Sequence, residues 1–323
     1  MDEGVVNVPS FEDLPTLPGT TERHAWDVWG RSDEIGTMNF IGPAEVVAAS
    51  KLVHDGTVIS LSAPLDQPAP GLFPERRPYE HIVERRSHGR DDRVDGLYLQ
   101  FSSQWDGLRH VRYRGFGYWG GRDEADLDDR GELGIERWAE RGIIGRGVLV
   151  DVASHLGSRD GEFPPDRRYA ISPRDLDETL AAQGTVVRPG DIVIIRTGWL
   201  EWYLGLSASE RDALVGTVGR PTDPLACPGL DAAPETAAWL WNHRVAAIAS
   251  DNSALEALPV IREVGFLHYR LIPMLGMPIG EFWSVALLAE HCRALQRYEF
   301  MVTSGPLNLP GGVGSPTNAY AIF

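Results

Sequence analysis

Three short apolar runs, residues 147–153, 191–197 and 245–251, constrain the fold most. Each is rich in Val, Ile and Ala, and each is too short to be a helix buried on all sides. Continuous apolar runs of this length fit strands covered on both faces, as in parallel sheets. Between the first two, Ser172 and Pro173 open a helix that ends near Gln183 and Gly184. A Ser N-cap followed by Pro satisfies the first turn, and Gly closes the last. Before the third run, residues 233–242 read as a second helix. Strand–helix–strand order predicts an α/β fold, and no interdomain linker divides it.

The rest of the chain fits around that centre. Residues 1–42 read as an N-terminal arm, acidic and Pro-rich over its first twenty residues, and residues 43–323 as the α/β domain. Pro43 opens a helix over residues 44–53, and strands are predicted at residues 57–62 and 299–305 and at the C-terminus. Residues 66–95, rich in Pro, Arg and Asp, read as a long irregular excursion.

Composition excludes several functions. The 323 residues carry a formal charge of −16, which argues against nucleic acid and against an anionic membrane surface. Lys51 is the one lysine, placed on an amphipathic helix, so Schiff-base chemistry is disfavoured. The two cysteines, Cys227 and Cys292, have no zinc or disulfide spacing and read as buried thiols. No apolar leader and no membrane-length run appear, so the expectation is a soluble, cytoplasmic protein. No Gly-rich dinucleotide or phosphate loop and no serine-nucleophile elbow appear either.

Chemistry concentrates in residues 99–110. Gln100, Gln104, Asp106 and His110 stand at i, i+4, i+6 and i+10, and even spacing puts them on one face if the segment is extended. Further along, His268 precedes an apolar run that ends at Glu281. A carboxyl there would be buried, which raises its pKa toward the range of proton transfer. Trp105 and Trp119, the latter in a Gly/aromatic loop over residues 111–121, are candidates to wall a pocket. Asp251 falls at the carboxyl end of a predicted strand, where open α/β sheets place their ligands.

This pattern resembles the cyclase/kynurenine formamidase family of metal-dependent hydrolases, in its longer cyclase branch. The family motif, His-x-Gly-Thr-His-x-Asp-x-x-x-His, falls on Gln100, Ser102, Ser103, Gln104, Asp106 and His110, with the Asp and last His retained. A family His and Glu match His268 and Glu281, and the resemblance extends to residues 26–27, 33–40, 103–108, 196–199, 250–251 and 311–316. It implies a single α/β domain with a central mixed β-sheet or partial barrel flanked by helices, a homodimer or homotetramer, and an arm whose Trp26 and Trp29 lie near a partner's site. It also implies Mn or Zn held by the first two His and the Asp, with the last His and the Glu moving protons. Here both of those His are Gln, and a neutral carboxamide is a poor ligand for such ions.

The expectation is therefore an enzyme acting on a small cyclic or ring-forming carbonyl compound without a tightly bound metal. His110 and His268 would be acid and base, Glu281 and Asp106 would tune them, and Gln100, Gln104, Trp105, Trp119 and Asp251 would bind substrate. Two alternatives stay open. One is a Mn- or Zn-dependent hydrolase of a cyclic amide, formamide or lactone, with the ion on Gln104, Asp106 and His110. The other is a small-molecule binder on a decayed hydrolase scaffold.

Overall fold

The computed structural model describes residues 7–323. Nine strands form the main sheet: β1 (Val58–Ser60), β4 (Gln104–Asp106), β5 (Ile143–Val150), β7 (Ile192–Ile195), β9 (Ala247–Ser250), β10 (Ile279–Glu281), β11 (Glu299–Ser304), β12 (Gly314–Pro316) and β13 (Ala319–Ile322). Two small pairs lie outside it, β2 (Glu80–Arg86) with β3 (Gly89–Asp95), and β6 (Ala170–Ile171) with β8 (Gly229–Leu230). The main order is β1-β13-β11-β5-β7-β9-β10-β4-β12. Strands β5, β7, β9 and β10 pair in parallel, and the pairings on both flanks are antiparallel. The α/β fold with a mixed sheet is thus as the sequence implies.

The apolar runs are the parallel centre. Residues 192–195 and 247–250 are buried throughout, so their side chains meet protein on both faces. The helix Pro173–Gln183 starts on the Ser172 cap, whose side chain accepts from the Asp175 N–H, and ends on Gly184 with φ of 65°. The helix Pro234–Asn242 buries Trp239, Leu240 and Trp241. The excursion over residues 66–95 departs from expectation. Its second half is the regular β2–β3 hairpin, almost wholly exposed. Its charged cross-strand partners, among them Arg93 with Glu84 at 2.9 Å, carry no apolar periodicity that a sequence reading would detect.

The described part of the arm packs into the body of its own chain. Leu14, Leu17, Trp26 and Met38 join the main core. Trp26 Nε1 donates to Pro273 O at 2.6 Å, and Thr37 Oγ1 donates to Ala246 O at 2.7 Å. The tightest contact is at Gly36, whose φ is +61° and whose missing Cβ would lie 1.9 Å from Gly276 O. The Asp33 carboxylate holds this turn, accepting from Gly36 N and from Trp119 Nε1.

Gly36→Ala should therefore cost about 3 kcal/mol, because both φ and space forbid a side chain. Gly30→Ala, at φ +86° with nothing within 4 Å of the added methyl, should cost only about 1 kcal/mol. Paired urea denaturation curves check this, and equal losses would contradict the close packing at Gly36.

Candidate active site

Strand β4 aligns antiparallel with β10, so that Gln104 lies opposite Glu281 and Asp106 opposite Ile279. Side chains alternate along a strand, so Gln104, Asp106 and Glu281 share one face and Trp105 takes the other. His268 reaches the same place from a short helix, Leu267–Tyr269, that runs into a π-helical turn, Arg270–Leu275. Such turns are rare and frequent at functional sites. The arm braces this turn: besides Trp26 on Pro273, the Arg270 guanidinium pairs with Glu22 at 2.7 Å. Phe266 stacks on the His268 ring, with centroids 4.6 Å apart and planes 6° from parallel.

The His268 imidazole is the hub. Its Nδ1 lies 2.9 Å from Glu256 Oε2, and its Nε2 lies 3.2 Å from Glu281 Oε1 and 3.8 Å from Asp106 Oδ2. His110 stands across from it, ring centroids 6.4 Å apart, with Nε2 3.7 Å from Asp106 Oδ1. Gln104 Nε2 donates to Glu281 Oε2 at 3.0 Å and faces both Asp106 oxygens at 3.4 and 3.5 Å. Burial works against a charged His268 ring, but Glu256 and then Glu281 outweigh it, so its pKa lies well above the ordinary 6.5. Burial also pushes the Asp106 carboxyl up; His110 pulls against it and Glu281 adds to the rise. The cluster thus holds three buried carboxyl groups and two imidazoles, and keeps protons that an exposed site would release.

These groups form the floor of a cavity of about 370 Å³. His110, His268 and Glu281 line it, and Phe73, Leu258 and Phe266 are among its apolar walls. Asp106 and Gln104 lie beneath, essentially inaccessible.

Several expected substrate contacts are corrected. Gln104 spends its amide on the carboxylates. Gln100 lies outside β4, with its Nε2 packed over Gly314 and no hydrogen-bond partner among the described residues. Trp105 points to the far face, where it donates to Ser304 Oγ at 2.9 Å and meets Trp283 edge-on. Trp119 is fully buried against the arm; of its Gly/aromatic loop, Val111 is what reaches the cavity. Asp251 is structural: it accepts from Thr197 N at 2.7 Å and Gly198 N at 2.8 Å, capping the start of the helix Trp199–Gly205. Burial raises its pKa to about 6, against the pull of those N–H groups.

Glu256 is the functional residue the sequence did not disclose. It sits in the loop after β9, where Asn252 Nδ2 donates to Pro228 O at 2.8 Å and to Leu255 O at 3.3 Å. Ala254 and Leu255 just before it have φ of 79° and 57°, and Phe282 just after Glu281 has 56°. Left-handed backbone at non-glycine residues costs about 1–3 kcal/mol each and gathers where geometry is imposed by function.

The donor set tests the metal that the resemblance implies. At the family's ligand positions the fit is poor: Gln104 turns its amide nitrogen to the carboxylates and Gln100 packs its own on Gly314, which leaves neutral carboxamide oxygens as donors, with Gln104 Oε1 buried and unpartnered among the described residues. His110, expected to join Gln104 and Asp106, is not among the His and carboxylate donors that converge. Instead Asp106, His268 and Glu281 each place one donor atom within 4.8 Å of the others. Glu256 backs His268 as a carboxylate commonly backs a ligating imidazole. This trio allows a divalent cation.

Comparison with known proteins agrees with this architecture. Residues 59–257 match the Cyclase family model ("Putative cyclase"). A crystal structure described as a novel cyclase is 34% identical, with 93% of this chain and 99% of that one covered and a TM-score of 0.80. The chain therefore belongs to the cyclase family, a class of cyclase- and hydrolase-type enzymes. Isatin hydrolase A from Labrenzia aggregata, bound to benzyl benzoate, shares the fold at 15% identity, with 86% and 97% of the two chains covered and a TM-score of 0.58. Isatin hydrolase A from Ralstonia solanacearum does so at 16%, with 87% and 97% covered and a TM-score of 0.58. No curated protein matches the chain by sequence. No helix among the described residues is long and apolar enough to cross a membrane.

Glu256→Gln keeps the shape beside His268 and removes the charge. Because the folded-state pKa of His268 is raised, its contribution to stability is full below about pH 6.5 and is lost as pH rises through the raised value. Wild type should lose stability over that window, and Glu256→Gln should flatten the loss. Denaturation midpoints of both proteins from pH 6 to 10 check this; parallel profiles would contradict the pairing.

Proposed function

We propose that this protein opens or closes the ring of a small cyclic carbonyl compound by acid/base chemistry. One observation carries the reading: His268, held between Glu256 and Glu281, faces His110 at the floor of an apolar cavity. In ring opening, water attacks the carbonyl carbon and His110 takes its proton. The carbon–heteroatom bond of the ring then breaks, and His268 gives its Nε2 proton to the departing nitrogen or oxygen. Asp106, 3.7 Å from His110 Nε2 and 3.8 Å from His268 Nε2, hands the proton back between the two rings, while Glu281 holds the His268 Nε2 proton and Glu256 keeps His268 charged. Asp106 orients His110 from below, and Gln104 fixes Glu281. A pair of facing imidazoles, one of them set among carboxylates that favour its protonated form, suits general acid/base catalysis. Ring closure is the same path reversed. The fold shared with proteins named isatin hydrolase, whose namesake is a cyclic carbonyl compound, supports this substrate class. So does the resemblance to kynurenine formamidases.

A second reading rests on the Asp106, His268 and Glu281 donors. Held there, a divalent cation would supply Lewis acidity and lower the pKa of water. His110 would still accept a proton, and Glu256 would orient the His268 ring.

A panel of lactones, cyclic imides, isatin and N-formyl anilines, assayed with metal content measured in parallel, tests the first reading. It predicts turnover that survives exhaustive chelation and falls by about 10²–10⁴ in His110→Ala and in His268→Gln. Loss of activity together with a stoichiometric ion would favour the second reading. Full activity in His110→Ala would contradict both.

A further inference from the structure

The cavity also carries two guanidiniums, of which Arg76 bears on the floor only through its charge, which opposes the rise at Asp106. Arg76 and Arg220 both line it, and neither forms an ion pair with a carboxylate among the described residues. Arg76 is held in place: Nη1 donates to Gln100 O at 2.7 Å, and the guanidinium lies 4.4 Å from the Phe73 ring centroid. Its Nε and Nη2 remain available. Arg220 is exposed, on the loop that follows the helix Ala208–Leu214. The two Arg-bearing loops are tied together, since Gly216 N donates to Leu72 O at 2.8 Å and Gly216 packs against Pro74. The two loops therefore form one part of the wall, with the Arg76 guanidinium held in place and the Arg220 guanidinium free in solvent at its edge.

That placement is notable in a chain of net charge −16 with acidic groups under the cavity floor. A neutral ligand gains little from two cations here, and an anionic one would be repelled without them. Guanidinium is also the side chain best shaped to grip a carboxylate through paired N–H groups. Ring opening creates a carboxylate too, but at the reacting carbon on the floor beside Glu281. The wall must read a group the ligand already carries.

We propose that Arg76 and Arg220 select ring compounds that bear a carboxylate separate from the reacting carbonyl. This rests on the acid/base reading for the position of the reacting carbonyl, while the ligand class itself is tested by binding alone. Isothermal titration of the whole protein at low salt would compare benzoate, phenylacetate and indole-3-acetate with their uncharged amides. The carboxylates should bind about tenfold tighter or better, and the preference should shrink as salt rises. Arg76→Gln and the exposed Arg220→Gln should each cut it, with amide affinity unchanged. Equal or tighter amide binding, no binding of either series, or a preference that survives both substitutions would overturn the proposal. His110→Gln, which should stop turnover, should leave the preference intact. A preference without any turnover in the panel would then retire the reaction and keep the ligand class.

Discussion

A buried imidazole with a carboxylate on each ring nitrogen, as His268 has with Glu256 and Glu281, cannot be neutral without leaving a buried charge poorly matched. Kept protonated, it stabilises both carboxylates and holds a proton ready at the cavity. Asp106, fully enclosed beneath, is pushed toward its own protonated form. The pair His110 and His268 then differ by environment alone: one half-exposed, the other buried and locked among acids. On the acid/base reading proposed above, that asymmetry is what would set a proton acceptor and a proton donor a few ångströms apart.

The fold exists in large part to hold that imidazole. Glu281 and Gln104 meet because β10 and β4 pair in one register, and a slip of β4 by one residue would send Gln104 and Asp106 to the far face, away from Glu281. Glu256 arrives on a loop whose backbone is forced left-handed before it. His268 itself rides on a π-helical turn, and the arm clamps that turn through Trp26, Glu22 and the contact of Gly36 with Gly276. Residues 33–40 thus act through packing rather than through chemistry.

The parallel centre was legible in the sequence because runs such as 192–195 have no reason to be apolar throughout unless covered on both faces. Caps at Ser172 and Gly184 were legible because their roles are local. The floor residues Asp106, His110, His268 and Glu281 could be picked out by type and spacing. Glu256 could not, since its importance lies in a contact twelve residues away made by a strained loop. Trp105, Trp119 and Asp251 misled for the opposite reason: their chemistry suits a pocket, but β4 alternation, the arm and the backbone N–H groups of a buried helix start claim them. The Gln pair stands out in the sequence as a departure from the family motif, yet only the structure shows the Gln104 amide nitrogen serving a carboxylate.

The central claim is that His268 stands in the native protein as an imidazolium shared between Glu256 and Glu281. Nitrogen NMR shifts of the His268 ring, recorded near neutral pH on protein of known metal content, report its state directly. Both ring nitrogens protonated well above pH 6.5 is the result expected. A neutral ring with one bare nitrogen, or a shift that moves when a bound ion is stripped, would contradict it.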